Sequence, residues 1–356
     1  MRILIATDAW HPQVNGVVRT LTSLKRAAGS LGADIEFLTP EGFPSMELPT
    51  YPGLRVAWTN RREVARRIEA AAPEAIHIAT EGPVGWAVRA YCLRRGLAFT
   101  TSYTTRFPEY IAVRSIIPAS VSYAVLRRFH NAAATTMVAV PSLYNELAAR
   151  GFRKLGFWGR GVDTELFNPD RPAPLDLPRP IFMTMGRVAI EKNIEAFLSL
   201  DLPGSKVVVG DGPQRRELAQ KYPGVKFLGE KKGADLTAHL AAADVFVFPS
   251  KTDTFGLVLI EALACGVPVA AYPVQGPADI LDRERVGCLG RDLEVCIDRA
   301  LREHDPAECR KLALEYSWEN ATRMFVNNLV FAPALEPAAP AGRQPKSQRT
   351  PVAVKQ

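Results

Sequence analysis

The chain has 356 residues, 47% of them hydrophobic and 23% charged, with a net charge of +7. That length holds two domains of ordinary size, and that balance belongs to a folded globular protein, not to a disordered or collagen-like one. No apolar run reaches the roughly 18 residues of a membrane span, and Met1–Ala6 lacks the longer apolar core of a signal peptide.

Apolar, strand-like runs at 2–6, 35–38, 75–79, 97–101, 137–140 and 155–158 alternate with helical patterns. The first strand runs into Thr7-Asp8-Ala9-Trp10-His11-Pro12, and Asn15-Gly16 then opens a helix that reaches Leu31. A glycine there lets backbone approach a phosphate, although a plain loop looks the same. Residues 169–180 hold five prolines, which continue neither a helix nor a central strand. A second series of strands follows at 181–186, 206–210, 225–228, 244–248, 267–271 and 285–289. Two successive series of this kind predict an α/β protein with two facing, Rossmann-like, doubly wound domains and a cleft between the carboxyl ends of their sheets. The expected parts are an N-terminal domain at 1–168, a linker at 169–180 and a C-terminal domain at 181–306. A C-terminal helix at 307–331 and a disordered, basic, Ala/Pro-rich tail at 332–356 complete the chain.

Charge is unevenly spread. Residues 1–165 carry 20 Lys+Arg against 13 Asp+Glu, residues 166–331 carry 20 against 23, and the tail carries 4 against 1. The stretch Tyr110–His130 mixes apolar bulk with Arg114, Arg127 and Arg128 in the basic half. Such a surface suits an anionic membrane or a nucleic acid, and a solvated arginine-rich face is the plain alternative. The five cysteines (Cys92, Cys265, Cys288, Cys296, Cys309) have no metal-type spacing and read as reduced thiols of the cytosol.

The most informative run is Ser250-Lys251-Thr252-Asp253-Thr254-Phe255-Gly256-Leu257-Val258-Leu259-Ile260-Glu261. A strand, a short polar loop and a helix start make an anion site, with Asp253 placed for sugar hydroxyls and Glu261 for a ribose diol. After the strand at 181–186, Arg187 and Lys192 lie five positions apart around a loop, where two cations can grip a diphosphate. Gly210-Asp211-Gly212-Pro213 is a tight βα turn and not the G-x-G-x-x-G of dinucleotide enzymes. No D-x-D triplet and no His/Cys/carboxylate metal cluster is present, so no metal or other cofactor is expected.

In this order the motifs resemble the retaining, GT-B-fold glycosyltransferases of family 4. The resemblance runs from Asn15-Gly16 through Gly186-Arg187, Glu191-Lys192, Gly210-Asp211-Gly212-Pro213 and Asp253/Glu261 to Ala264-Cys265-Gly266-Val267-Pro268-Val269. It covers residues 1–331. Three further segments are Thr80–Gly85, Ser102–Tyr110 and Gly159-Arg160-Gly161-Val162-Asp163. They are similar to a branch that makes glycolipids, which includes sulfoquinovosyl-, glucosyl- and glucuronosyl-diacylglycerol synthases and related mannosyltransferases. The resemblance implies that Gly16 approaches the donor diphosphate, that Arg187 and Lys192 bind it and that Gly210 belongs to the donor-binding set. It further implies that Asp253 and the amides at Phe255, Gly256 and Leu257 meet the sugar, that Val258 lies by the phosphate and that Glu261 holds the ribose. Glu81, Thr104 and Arg106 are the acceptor-side candidates, and Arg106 could serve a carboxylate-bearing sugar. Two positions depart from the family pattern: Asp253 stands where the family has Glu, and Thr104 where it has a His beside the reacting sugar. Threonine neither carries positive charge nor acts as a base near neutral pH. Same-face attack assisted by the leaving phosphate, the route implied for retention, can do without it.

The expected protein is therefore an enzyme of the cytoplasm, peripheral on the inner face of the plasma membrane. It would move a hexose or hexuronic acid from a UDP-sugar to diacylglycerol, with no nucleic-acid partner. The alternatives are a GDP-mannose-dependent mannosyltransferase with a lipid or polysaccharide acceptor, and a non-catalytic nucleotide-sugar- or nucleic-acid-binding module.

Overall fold

A computed structural model describes residues 1–13, 15–47, 55–114, 118–170 and 172–331. The expected tail lies outside the described residues, as do residues 115–117 of the basic stretch. Each predicted strand forms, with ends moved by a few residues. The first series gives β1 (Arg2–Ala6), β2 (Asp34–Leu38), β5 (Ala75–Ile78), β6 (Thr100–Ser102), β7 (Thr135–Val138) and β8 (Leu155–Phe157). A short antiparallel pair not predicted, β3 (Ser45–Glu47) and β4 (Arg55–Ala57), stands apart from this sheet. The second series gives β9 (Ile181–Met185), β10 (Ser205–Val209), β11 (Lys226–Gly229), β12 (Val245–Phe248), β13 (Val269–Ala271) and β14 (Gly287–Leu289).

The two sheets are parallel throughout and run in the orders β2-β1-β5-β6-β7-β8 and β11-β10-β9-β12-β13-β14. Each order reverses direction once, at β1/β5 in the first sheet and at β9/β12 in the second. Ligands of doubly wound sheets bind beyond the carboxyl ends of the strands at such reversals. The loops after β1 and β5 therefore face a site from one side, and those after β9 and β12 from the other.

The central strands are apolar because helices cover both faces of each sheet. All four residues of β12, Val-Phe-Val-Phe, are buried. The helix that follows, Leu257–Ala264, buries every residue from Leu259 to Ala264. It packs against helix Pro306–Leu314.

One expectation needs correcting. Residues 307–331 are not a single helix: Pro306–Leu314 ends, and a second helix, Trp318–Asn328, starts at the Ser317 cap, whose hydroxyl accepts from the Asn320 amide. The second helix returns to the first sheet. Phe325 is fully buried there, with its ring centre 4.9 Å from those of both His77 and Trp158. Gly161 permits this return, since a Cβ would overlap the backbone of Trp318. The chain end thus ties the two halves together. Among the described residues no helix is long and apolar enough to cross a membrane.

Candidate active site

A cleft of about 1080 Å³ opens between the two sheets. Of the site residues proposed from sequence, Gly16, Thr104, Arg106, Arg187, Lys192, Gly210, Asp253, Phe255, Gly256, Leu257 and Val258 line it. Glu81 and Glu261 do not.

On the C-terminal side the wall is largely backbone. Gly186 and Gly210 have φ of +143° and +139°, and a Cβ on Gly210 would overlap the Gly186 carbonyl oxygen. The Val188 amide donates to the Asp211 carbonyl at 2.9 Å. The loops after β9 and β10 therefore interlock at a distance only glycine allows. Gly256, at φ +87°, takes the left-handed position that starts helix Leu257–Ala264. No side chain caps this helix and its first turn holds no acid, so its amides and the positive end of its dipole face the cleft. Gly276, at φ +85°, gives the Phe255 carbonyl room, and the Phe255 ring stands edge-on to Tyr316 at 5.9 Å.

Lys192 Nζ donates to Asp253 Oδ1 at 2.5 Å, which joins the loop after β9 to the loop after β12. Asp253 Oδ2 is sealed from solvent with no hydrogen-bond partner, and so is Thr104 Oγ1 opposite. The Thr254 hydroxyl donates across the cleft to the Thr104 carbonyl at 2.8 Å. Two orphaned polar atoms thus lie in the wall where the sequence departs from the family pattern. A buried polar atom without a partner is costly, and a ligand hydroxyl can supply what each lacks.

The N-terminal wall is made of side chains. Asn15 Oδ1 caps helix Gly16–Ala28 by accepting from the Val17 and Val18 amides, both at 3.0 Å. Gly16 faces Leu257 across the cleft, and an added Cβ would sit 3.9 Å from Leu257 Cδ1. One turn on, Arg19 forms a two-pronged ion pair with Glu261. Glu261 is 4% exposed; burial raises its pKa and the Arg19 charge pulls it back. In this structure, then, the expected ribose carboxylate is held by a guanidinium from helix Gly16–Ala28 of the N-terminal half.

Arg106 donates to Glu109 Oε1 at 2.9 Å, to Glu146 Oε2 at 2.5 Å and to the Gln275 side-chain oxygen. Two protein carboxylates neutralise it, so it is a latch between the halves and not a spare cation for an acidic sugar. A second latch runs from Ser142, whose amide and hydroxyl donate to Asp279 at 3.0 and 2.5 Å. Glu81 needs a correction too. It turns away from the cleft, with Oε1 2.9 Å from His130 Nε2, and its neighbour Thr80 takes the place on the wall.

Sequence reasoning missed Arg19, Glu146 and Gln275, whose partners lie far off in the chain, and it missed Asp8. The Asp8 carboxylate accepts from the Val84 and Gly85 amides at 2.8 and 3.2 Å and from the Thr80 hydroxyl at 2.9 Å. It caps helix Pro83–Arg95, and a Cβ on Gly82 would overlap it. Asp followed 74 positions later by Gly-Pro at a helix start gives no sequence pattern that links them.

Two facing parallel sheets with this cleft between them are the GT-B arrangement. Structural relatives agree on the fold: a sucrose-phosphate synthase from Thermosynechococcus elongatus (TM-score 0.71, 22% identity, 92% of this chain and 97% of that one). An Anabaena protein, HepE, crystallised with UDP and glucose, has a TM-score of 0.70 at 17% identity over 92% of this chain and 98% of its own. Residues 14–166 match the family model for Glycosyltransferase Family 4, and residues 179–302 match that for Glycosyl transferases group 1.

The chain belongs to glycosyltransferase family 4, and it is an enzyme that takes a nucleotide-sugar donor. Among curated relatives it is 28% identical to a sulfoquinovosyl transferase from Arabidopsis thaliana, over 80% of this chain and 62% of that protein. It is 27% identical to a GDP-mannose-dependent alpha-mannosyltransferase from Mycobacterium tuberculosis, over 81% of this chain and 83% of that one. It is also 27% identical to an alpha-monoglucosyldiacylglycerol synthase from Acholeplasma laidlawii, over 76% and 79%. The chain thus spans less than two thirds of the plant relative's length.

Proposed function

We propose that this enzyme moves a hexose or hexuronic acid from a UDP-sugar to diacylglycerol, with retention of configuration, and docks on the inner face of the plasma membrane. The observation that carries the lipid acceptor is helix Ala119–His130. Val121 and Val125, one turn apart, are 52% and 49% exposed, and Arg127 and Arg128 follow on the same helix. This helix packs against helix Phe107–Arg114, whose Phe107 and Ile111 line the cleft. An apolar and basic surface thereby lies one helix away from the cleft wall. Each basic residue near an anionic bilayer adds about 1 kcal/mol, enough for reversible docking by a small cluster.

In the donor half, Arg187, Lys192 and the amides at Leu257 and Val258 take the diphosphate and stabilise it as it leaves. No metal is needed for that charge. Asp253 and Thr104 meet the sugar once their sealed, orphaned oxygens turn into the cleft. Glu261 takes the ribose hydroxyls as Arg19 gives way. The name of the Acholeplasma relative supports the diacylglycerol reading.

The test is incubation with diacylglycerol in anionic vesicles and a panel of UDP-sugars, followed by analysis of the lipid. A retained-configuration glycolipid is expected; none from any donor, with the protein folded, overturns the reading. A second reading, GDP-mannose as donor, draws on the mycobacterial relative, which aligns over more of its own length than the plant one does. Calorimetry with UDP and GDP separates the two.

A further inference from the structure

The N-terminal wall holds a cation that the reading above leaves without a role. Arg160 follows β8 and is 7% exposed. Its Nη1 donates to the carbonyls of Trp158 at 2.7 Å and Gly159 at 3.0 Å, and its guanidinium lies 4.3 Å from the Trp158 ring centre. Among the described residues no carboxylate pairs with it, and its Nε and Nη2 have no acceptor. These two nitrogens are not among the sealed polar atoms, and Arg160 lines the cleft. Trp158 is fully buried beside it, and the Trp158 Nε1–H also lacks a partner.

The other arginines with known partners on this wall behave differently: Arg19 meets Glu261, and Arg106 meets Glu109 and Glu146. A buried guanidinium with no counter-charge is a cost to the fold. Burial pushes its pKa down only to about 10, so it remains a cation at neutral pH. The titratable neighbour that feels its charge, His77, is buried and pushed down to about 3, and it supplies no negative charge. None of the described residues neutralises it, and an anion on a substrate can.

We propose that Arg160 is an oxyanion subsite in the acceptor half of the cleft, which binds a carboxylate, sulfonate or phosphate carried by one of the two substrates. Nε and Nη2 lie on one edge of the guanidinium, and that fork matches two oxygens of such a group. Two sources fit this chemistry: an acidic sugar on the donor, or a phosphate on the acceptor. The subsite rests on glycosyl transfer alone and not on diacylglycerol as acceptor. A neutral hexose moved to neutral diacylglycerol leaves it unused, so one substrate carries an anion besides the donor diphosphate.

The test uses the full chain, Arg160→Met and Arg160→Lys. Inorganic phosphate and acetate are titrated by thermal shift with the donor half filled by whichever of UDP and GDP binds, so that Arg187 and Lys192 are already engaged. Wild type rises in Tm with phosphate and Arg160→Met does not. Without ligand, Arg160→Met melts at or above wild type, because an unpaired interior charge has gone. A lower ligand-free Tm with an undiminished phosphate response makes Arg160 structural and overturns the proposal.

Turnover then separates the sources. A hexuronate donor with diacylglycerol, and a neutral hexose donor with phosphatidic acid, are each compared with a neutral hexose donor and diacylglycerol. The pair that carries the subsite's anion loses about 100-fold in kcat/KM in Arg160→Met, as expected for a charged hydrogen-bonded contact, while a neutral pair barely changes. Arg160→Lys recovers part of the loss, mainly in KM. Equal losses for charged and neutral pairs overturn the proposal. Failure of every lipid acceptor in wild type sinks the lipid reading but leaves the phosphate titration to decide the subsite.

Discussion

The wall after β9, β10 and β12 holds its shape through backbone, whereas the wall after β1, β5 and β6 holds it through paired side chains. On the first, glycines at φ +139°, +143° and +87° bring loops together and start a helix without a side-chain cap. On the second, Asn15, Asp8, Arg19 and Arg106 each spend their polar atoms on neighbours. The diphosphate is the same in every reaction of this kind, and backbone amides would recognise it with little scope for drift. The sugar and acceptor differ between enzymes, and side chains can be exchanged without refolding a loop. Donor binding should therefore survive most changes to the N-terminal wall, and acceptor choice should not.

The sharpest way to break this division is at the pair that belongs to both chemistry and wall. Lys192→Ala removes a cation from the diphosphate end and leaves Asp253 without its 2.5 Å partner. Turnover should fall at least about 1000-fold, roughly 4 kcal/mol of lost transition-state stabilisation. The melting temperature should move little, since both side chains keep some access to water. A variant that stays active within tenfold puts the diphosphate elsewhere.

The next largest effect compares one substitution on two walls. Gly210→Ala forces a Cβ into the Gly186 carbonyl and should cost roughly 3 kcal/mol of stability. Gly16→Ala, in helical backbone with 3.9 Å of clearance, should leave stability within about 0.5 kcal/mol. Its effect should fall on donor affinity, read by calorimetry with UDP or GDP. Equal thermal losses at the two positions abolish the distinction between a glycine kept for packing and one kept for approach.

How much of this was legible follows the same line. The twelve sheet strands were legible because apolar runs at regular spacing must be covered on both faces. The wall after β9, β10 and β12 was legible because its motifs are short and contiguous: Gly186-Arg187 and Gly210-Asp211-Gly212 directly follow strand ends, and Asp253–Val258 lead into the next helix. Arg19 could not be read, because its meaning depends on Glu261, 242 positions away. Glu81 was misread for the same reason: nothing local says that it turns inward to His130. Arg106 could be read as a free cation only until Glu146 and Gln275 were placed beside it.

Arg19 offers a test of Glu261 as the ribose ligand. Arg19→Ala strips a buried carboxylate of its partner and should cost about 2 kcal/mol, less than a wholly buried pair because Arg19 is partly exposed. Saturating nucleotide should restore part of that, since ribose hydroxyls would donate to Glu261 in place of the guanidinium. The nucleotide-induced rise in Tm should thus be larger in Arg19→Ala than in wild type. Equal rises remove Glu261 from the ribose.

The smallest effect concerns pH and is confined to the side-chain wall. Burial lifts the Asp8 pKa from 3.8 to about 6, against the pull of the Val84 and Gly85 amides and the Thr80 hydroxyl. A carboxyl whose folded pKa lies above its unfolded one keeps a proton that the unfolded chain has released. Between about pH 4 and 6 the folded state therefore binds more protons, and stability falls as pH rises through that window, then levels off. Discounted for partial exposure, the loss is about 1 to 2 kcal/mol. Asp8→Asn lacks it, so the stability of wild type relative to Asp8→Asn should decline from pH 4 to pH 7 in urea titrations. A relative stability that climbs instead means that the amides and the start of helix Pro83–Arg95 outweigh burial. Asp8 would then act as a charged cap, and the N-terminal wall would be strongest at neutral pH, where the donor wall is expected to be indifferent.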